Sequence, residues 1–159
     1  MSEPRWLTPD EAEVWAKYRL LRRELQRAQD QQLQQDSGLS AADYALLAPL
    51  SESSGGVLRA RDLGNEVGWE RSRLSHQISR MEKRGLVVRE ACADDARGSM
   101  VRLTEQGRSV IEAAAPGHAE TVKRLFFDPL APAESESLGQ IFDKILGAIR
   151  SSARDGSGQ

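Results

Sequence analysis

Six polar side chains share one face of a predicted helix between Glu70 and Arg84. The opposite face is apolar, because Leu74, Ile78 and Met81 recur at the i, i+4 and i+7 positions of a buried helix face. Arginine, serine and histidine can donate hydrogen bonds to phosphate oxygens and to base edges in a DNA major groove, and the arginine fork pairs best with the two acceptors of guanine. The helix is therefore a candidate for DNA recognition through Arg71, Ser72, Arg73, Ser75, His76 and Arg80.

The segments on either side of this helix predict a winged helix-turn-helix over residues 56–104. Gly68 supplies a tight turn before the helix, and Gly85 supplies a stop after it. β-branched residues then predict two strands joined by a polar tip, which together form a wing. The predicted elements are a short strand at Leu58, a helix from Ala60 to Val67, the helix from Glu70 to Arg84, and strands from Leu86 to Arg89 and from Met100 to Leu103.

The chain before this region predicts two helices. Thr8 can cap the first helix, Glu11 can complete a capping box, and Gly38 supplies the stop. Ser40 opens the second helix, which ends before a loop rich in serine and glycine at residues 51–56. The predicted helices span about residues 9–35 and 40–50.

Two more helices are predicted after the wing. Thr104 can cap the fifth helix, which meets Pro116 and is expected to kink there. The last helix begins near Pro132, and residues 151–159 should form a frayed tail. The broad apolar face of the last helix consists of Leu138, Ile141, Phe142, Ile145, Leu146 and Ile149.

The predicted fold is mainly α-helical, with six helices and a small antiparallel β wing. The apolar faces of the flanking helices exceed what a head of about fifty residues can cover. A second copy of the chain would cover them, since two-fold dimers are the commonest assembly. Residues 1–55 and 105–159 are therefore predicted to form the dimerisation region around a DNA-binding region at 56–104. A dimer would place two recognition helices about 34–36 Å apart, which is one turn of DNA.

Charge is distributed unevenly along the chain. The net charge is −2, yet residues 58–108 contain 11 Lys and Arg against 8 Asp and Glu, and the flanks contain 11 against 16. A basic head on an acidic body suits a nucleic-acid partner, although an excess this small also arises by ordinary variation. The interpretation therefore depends on the helix pattern more than on charge.

Composition limits the other classes of function. The start of the chain lacks a secretion signal and no segment approaches about 18 consecutive apolar residues, so we expect a cytoplasmic, nucleoid-associated protein without a membrane partner. The single cysteine, Cys92, excludes internal disulfides and zinc sites built from several cysteines. Two histidines are too few for a histidine-rich metal site, and no P-loop, Rossmann glycine pattern or serine elbow is present. We therefore expect no enzyme activity, no cofactor and no metal.

Residues 95–107, DARGSMVRLTEQG, resemble the wing of the MarR (multiple-antibiotic-resistance regulator) family. They match the family pattern D-x-R-x-x-x-V-x-L-T-x-x-G at every fixed position. Residues 80–87, RMEKRGLV, are similar to the family's end of the recognition helix, and the resemblance covers about residues 8–150. It implies a dimeric bacterial transcription regulator that binds a pseudo-palindromic operator, often as a repressor released by a small ligand.

The resemblance also implies roles for single residues. Arg97 is the wing residue expected in the minor groove, and Asp95 would orient it. Thr104 and Gly107 look structural. Glu70 departs from the family, in which a Ser or Thr cap is usual; a carboxylate there favours the helix dipole but would repel a nearby phosphate. The positions that contact bases and phosphates in the family correspond to Ser72, Arg73, Ser75 and His76.

A small effector is a further expectation, because the family's pocket lies near the first, second and fifth helices. An arginine flanked by aromatic surface would suit an aromatic or anionic compound, through bidentate hydrogen bonds and stacking. The alternative is that the arginines bridge subunits or stay solvated. The candidate pocket residues are Trp15, Arg19 and Arg22 on the first helix, Tyr44 on the second, and His118 on the fifth.

Structural roles and a second function class are also open. Trp69 is expected to pack inside the head, and Cys92 is expected to be inert because the sensing cysteine of some relatives lies near the first helix. A winged helix can also serve as a protein-interaction module without specific DNA binding. Such a module would keep its partner after Arg73→Ala and Arg97→Ala.

Overall fold

The computed structural model describes residues 4–94 and 98–156 of the 159-residue chain. Within them the fold has six α-helices and a three-stranded antiparallel sheet, which confirms the predicted mainly α-helical winged fold. The elements are α1 (Pro9–Ser37), α2 (Ala41–Glu52), β1 (Val57–Arg59), α3 (Ala60–Val67), α4 (Arg71–Lys83), β2 (Val87–Ala91), β3 (Ser99–Leu103), α5 (Glu105–Val122) and α6 (Pro132–Gly156). The chain divides into two compact units, one ending at Ala119 and the other beginning at Glu120.

The first two helices begin where the capping pattern predicts. The Thr8 hydroxyl accepts a hydrogen bond from the backbone N–H of Glu11 at 3.2 Å, and the Glu11 carboxylate accepts one from the N–H of Thr8 at 2.8 Å. Ser40 and Asp43 form the same capping box at the start of α2. Gly38 ends α1 with a φ of 68°, a left-handed conformation that favours glycine.

Strand β3 is the central strand of the sheet, whose order is β1-β3-β2. Val101 pairs with Leu58 on one side and with Arg89 on the other. The short strand predicted at Leu58 is thus confirmed, and it connects the wing to the start of α3. Strand β2 continues to Ala91, beyond its predicted end at Arg89.

One face of α4 packs against the hydrophobic core of the first unit. Leu74, Ile78 and Met81 are buried, which confirms the apolar face predicted for this helix. The same cluster contains Leu46, Leu47 and Leu50 of α2, Leu63 of α3, and Val87, Val101 and Leu103 of the sheet. Because the core covers only that face, the opposite face of α4 stays in contact with solvent.

Thr104 fastens the start of α5 to the start of β2. Its hydroxyl donates to the carbonyl of Gly85 at 2.6 Å and accepts from the backbone N–H of Gly107 at 2.9 Å. Its own backbone N–H donates to the carbonyl of Leu86 at 3.1 Å. Gly107 lies so close to this strand that a Cβ at its position would overlap the carbonyl oxygen of Leu86. The wing is therefore anchored to α5 at its base.

The last two helices differ from the prediction at their ends. Helix α5 runs through Pro116, as expected, and ends at Val122, where a π-helical turn at Lys123–Phe127 follows it. Helix α6 extends to Gly156, so the expected frayed tail is corrected for residues 151–156. The physical reason is that adding residues to an existing helix is easy, and alanine and arginine in this segment favour it.

Candidate nucleic-acid interface

The exposed face of α4 presents the side chains that the sequence singles out. Each of the six polar residues named for DNA contact on this helix is exposed, whereas the residues between them that face the core are buried. Arg71, Arg73 and Arg80 form no hydrogen bond or ion pair with another residue in the described ranges 4–94 and 98–156. Their guanidinium donors are therefore available to an external acceptor.

A negative charge lies directly before the first turn of α4. Glu70 is the N-cap residue, with extended backbone, but its side chain does not cap the helix. The carboxylate instead accepts a hydrogen bond from the Ser72 hydroxyl at 3.0 Å. The charge complements the helix dipole, and Ser72 must release Glu70 before it can donate to DNA.

Arg73 is held by an aromatic ring. Its guanidinium carbon lies 4.0 Å from the centroid of the Trp69 ring. Trp69 is half-buried and packs against the core, as predicted, but it also presents a ring face to the arginine. This is a cation–π contact, in which the cation meets the negative face of the indole. The sequence predicts packing for Trp69 but not this second role.

Two further arginines fix the orientation of α4. Arg84 donates to the carboxylate of Asp43 at 2.7 Å, and Gln77 donates to the other oxygen of that carboxylate at 2.7 Å. Arg89 on β2 donates to the backbone carbonyl of Ser75 at 2.7 Å and to its hydroxyl at 3.1 Å. Ser75 is thus bound to the wing strand as well as exposed. These contacts join residues far apart in the sequence. The sequence indicated a buried polar contact only through Gln77, a polar residue on the otherwise apolar face of α4.

A basic cleft runs between α4 and the sheet. Its volume is about 670 Å³, and apolar side chains such as Leu74 and Ile78 form part of its lining. Four arginines line it, namely Arg59, Arg61, Arg71 and Arg89. Arg59 is paired with Asp94 and Arg89 with Glu82, so Arg61 and Arg71 are the guanidinium groups in this concave surface that best suit a phosphate backbone.

The predicted wing contacts Asp95 and Arg97 lie outside the described residues. On the described side of the tip, Arg59 forms an ion pair with Asp94 at 3.5 Å. Cys92 is buried and its backbone N–H donates to the carbonyl of Gly98 at 3.4 Å.

Two of the five candidate effector residues come together. The rings of Tyr44 and His118 lie 4.1 Å apart, centroid to centroid. Burial lowers the pKa of His118, and burial together with the nearby Glu52 carboxylate raises the pKa of Tyr44. The Nδ1 atom of His118 and the Oε1 atom of Gln32 are buried without a hydrogen-bond partner among the described residues. An unsatisfied buried donor or acceptor is costly, so these atoms are a candidate site for a polar ligand or water.

The other three candidates lie elsewhere on α1. Trp15, Arg19 and Arg22 are exposed. The Trp15 ring lies 5.2 Å from that of Tyr18, and the Arg22 guanidinium lies 6.0 Å from the centroid of the Tyr18 ring. Because α1 rises about 1.5 Å per residue, Arg22 lies about 15 Å along the axis from Gln32. The structure therefore does not gather all five candidates in one pocket of the described chain.

In the described part of the chain, no helix is long and apolar enough to cross a membrane. No group of three or more His, Cys, Asp and Glu side chains in residues 4–94 and 98–156 is arranged to hold a metal ion.

A helix pair joined by a tight turn, a three-stranded wing and exposed arginines on the second helix define a DNA-binding protein of the winged helix-turn-helix class. The sequence profile of the MarR family matches residues 37–98. The transcriptional regulator HosA of Escherichia coli O127:H6 is 31% identical over 108 residues, which are 68% of this chain and 78% of HosA. The chain therefore belongs to the MarR family of transcription regulators.

Solved structures agree with this assignment. Sco3205, a MarR family transcriptional regulator from Streptomyces coelicolor in complex with DNA, is 40% identical with a TM-score of 0.87, over 93% of this chain and 92% of that one. AbsC, a MarR family transcriptional regulator from the same organism, is 39% identical with a TM-score of 0.86, over 93% of this chain and 99% of that one. The family resemblance seen in the wing residues is thus confirmed over most of the chain.

Proposed function

We propose that this regulator binds a specific pseudo-palindromic operator as a homodimer and acts as a ligand-responsive repressor. The observation that carries the proposal is a set of arginines on the exposed face of α4 that form no hydrogen bond or ion pair within residues 4–94 and 98–156, namely Arg71, Arg73 and Arg80. Arginines with structural roles in the same head are paired, as Arg84 is with Asp43. Sco3205, which has been solved with DNA, supports the same surface by its 40% identity.

The three unpaired arginines suit different targets. Arg71 lies at the N-terminus of α4 and also lines the basic cleft, so it is placed for a phosphate. Arg80 lies in the last turns of the helix, so it suits phosphates at the edge of the groove. Arg73 lies between them, where the N-terminal half of a recognition helix contacts base edges.

A homodimer is supported by apolar side chains that the chain leaves exposed. On α1 these include Val14, Trp15, Leu20 and Leu21, and on α6 they are Ile141, Phe142, Ile145, Leu146 and Ile149. Burial of apolar surface contributes about 25 cal/mol per Å², so covering both faces would strongly favour association. Residues 1–55 and 105–159 then form the dimerisation region, and residues 56–104 bind DNA.

Ligand response is supported by the Tyr44 and His118 ring pair and by two unsatisfied atoms, Nδ1 of His118 and Oε1 of Gln32. The Gln32 amide would lie 3.0 Å from a Cβ at Gly117, the neighbour of His118 in the chain. Gln32 Oε1 requires a hydrogen-bond donor, and His118 Nδ1 can donate or accept. A small aromatic or anionic compound with a hydroxyl or acid group could bond to both atoms and stack on the rings. If it fits only one arrangement of the helices, it shifts the population of DNA-binding dimers.

The test is operator selection from a random duplex library, followed by affinity measurements across a salt series. We expect the selected duplex to bind at least about a thousandfold tighter than random DNA. Arg80→Ala should reduce the slope of log affinity against log salt concentration by about one on any duplex, as expected for the loss of one phosphate contact. Arg154→Ala on α6 should leave this slope unchanged. Equal, salt-sensitive binding to all duplexes would reject specific regulation and would favour a protein-interaction module.

A further inference from the structure

Trp69 lies two positions before Arg71, the first residue of α4, and both its backbone and its ring make contacts within the head. Its backbone N–H donates to the carbonyl of Gly64 at 3.1 Å, which closes the turn between α3 and α4. The ring packs against the core on one side, and the Arg73 guanidinium lies 4.0 Å from its centroid. A side chain that belongs to the core thus reaches the outer face of α4.

The contact differs from those that hold the other arginines of the head. Arg84 is bound to Asp43 at 2.7 Å and Arg102 to Glu90 at 2.6 Å, so several of their N–H donors are used. Stacking on a ring uses none of them, because the donors lie in the guanidinium plane and the ring contacts its face. No hydrogen bond or ion pair occupies Arg73 in residues 4–94 and 98–156. Arg73 is thus both oriented and fully available to donate.

We propose that Trp69 is a positioning residue, and that the Trp69–Arg73 pair sets the sequence preference of this regulator by holding Arg73 for a guanine in each half-site. The proposal rests on the proposed operator binding. Guanine presents two acceptors, O6 and N7, in the major groove, and a planar fork matches them only in one orientation. A ring that fixes the plane of the guanidinium therefore favours a guanine over a phosphate, which accepts donors from many directions.

The size of the effect follows from the ordering of the Arg73 side chain. The contact is already present in the DNA-free chain, so its own energy does not enter the affinity. Without the ring, the Arg73 side chain must be ordered when DNA binds, which weakens operator binding by about twofold to twelvefold. The loss should fall on operator DNA alone, because random duplexes present phosphates but no matched guanine.

The experiment compares two duplexes and five proteins. One duplex is the operator selected by the wild-type protein. Arg73→Ala is first used to find the G·C pair of this operator that the variant no longer distinguishes from A·T. The second duplex carries A·T at that position. The proteins are the wild type, Trp69→Leu, Trp69→Phe, Arg73→Ala and the Trp69→Leu/Arg73→Ala double variant. We expect Trp69→Leu to weaken operator binding by about twofold to twelvefold with little change on the altered duplex. Trp69→Phe keeps a ring face for the guanidinium and should retain most of the affinity. In the Arg73→Ala background Trp69→Leu should add nothing.

Other results would overturn the proposal. If Trp69→Leu weakens both duplexes equally, or weakens them further in the Arg73→Ala background, Trp69 only supports the fold. If Trp69→Leu does not fold, Arg73→Lys is measured instead, since lysine keeps the charge but lacks the planar fork. If Arg73→Lys still prefers G·C over A·T as strongly as the wild type does, the proposed role of the Trp69–Arg73 pair is rejected. If no base pair loses discrimination with Arg73→Ala, Arg73 contacts phosphate and the proposal fails while operator binding stands. A wild-type protein that selects no sequence would instead reject the operator function itself.

Discussion

Asp43 on α2 and Arg84 at the end of α4 form an ion pair with a distance of 2.7 Å between Oδ2 and Nη1. Asp43 is only 2% exposed, and the same carboxylate accepts hydrogen bonds from Gln77 and from the backbone N–H of Ser40. One buried side chain therefore caps α2 and fixes the recognition helix at two positions. The orientation of the DNA-binding face depends on it.

Asp43→Ala should destabilise the fold by about 2–4 kcal/mol, because it leaves Gln77 without its acceptor and removes part of the α2 cap. Ser40→Ala is the matched variant, since it removes the cap hydroxyl alone and should cost about 1 kcal/mol. Urea unfolding of the two variants measures the difference. Equal losses would mean that the contacts of Asp43 with α4 contribute nothing to stability.

Asp43 also illustrates what the sequence could predict. Helix starts were predictable because capping depends on residues three apart, as for Ser40 and Asp43, and the apolar face of α4 was predictable from its period. The pairing of Asp43 with Arg84 joins residues 41 positions apart, and it forms only when the core brings α2 against α4. The Trp69–Arg73 contact was missed for another reason. A tryptophan beside a helix start predicts packing, and nothing in its type shows that one ring face remains available.

Gly107→Ala should destabilise the wing strongly. Its Cβ would overlap the carbonyl oxygen of Leu86, so β2 or α5 must shift, at a cost of about 3 kcal/mol or more. Gly139→Ala on α6 is the control, because nothing lies within 4 Å of its Cβ position. That change should stabilise the helix by up to about 1 kcal/mol. Thermal unfolding of both variants checks the prediction, and similar melting temperatures would contradict the close contact at Gly107.

His118 should make stability depend on pH. Burial lowers its pKa in the folded chain, so below about pH 6.5 the unfolded chain binds more protons than the folded chain. The free energy of unfolding therefore falls as the pH is lowered through that value. His118→Phe keeps a ring beside Tyr44 but cannot titrate, so its urea midpoint should change less between about pH 7.5 and about pH 5.5. An unchanged slope in His118→Phe would show that other groups control acid stability.

Ile145→Asp should convert the proposed homodimer into single chains. Ile145 lies on the exposed apolar face of α6 with Ile141 and Phe142, and a charge buried there in an interface would lack a partner. Because the same residue is exposed on the single chain, the substitution should leave the fold of each chain intact. Sedimentation should then report the 17.6 kDa mass of one chain at concentrations at which the wild type reports twice that mass. Asp143→Lys, about 200° around the helix from Ile145, should remain dimeric.

Loss of the dimer should also reduce operator affinity, because a single recognition helix contacts only one half-site. A wild-type protein that sediments as one chain would reject the dimer directly.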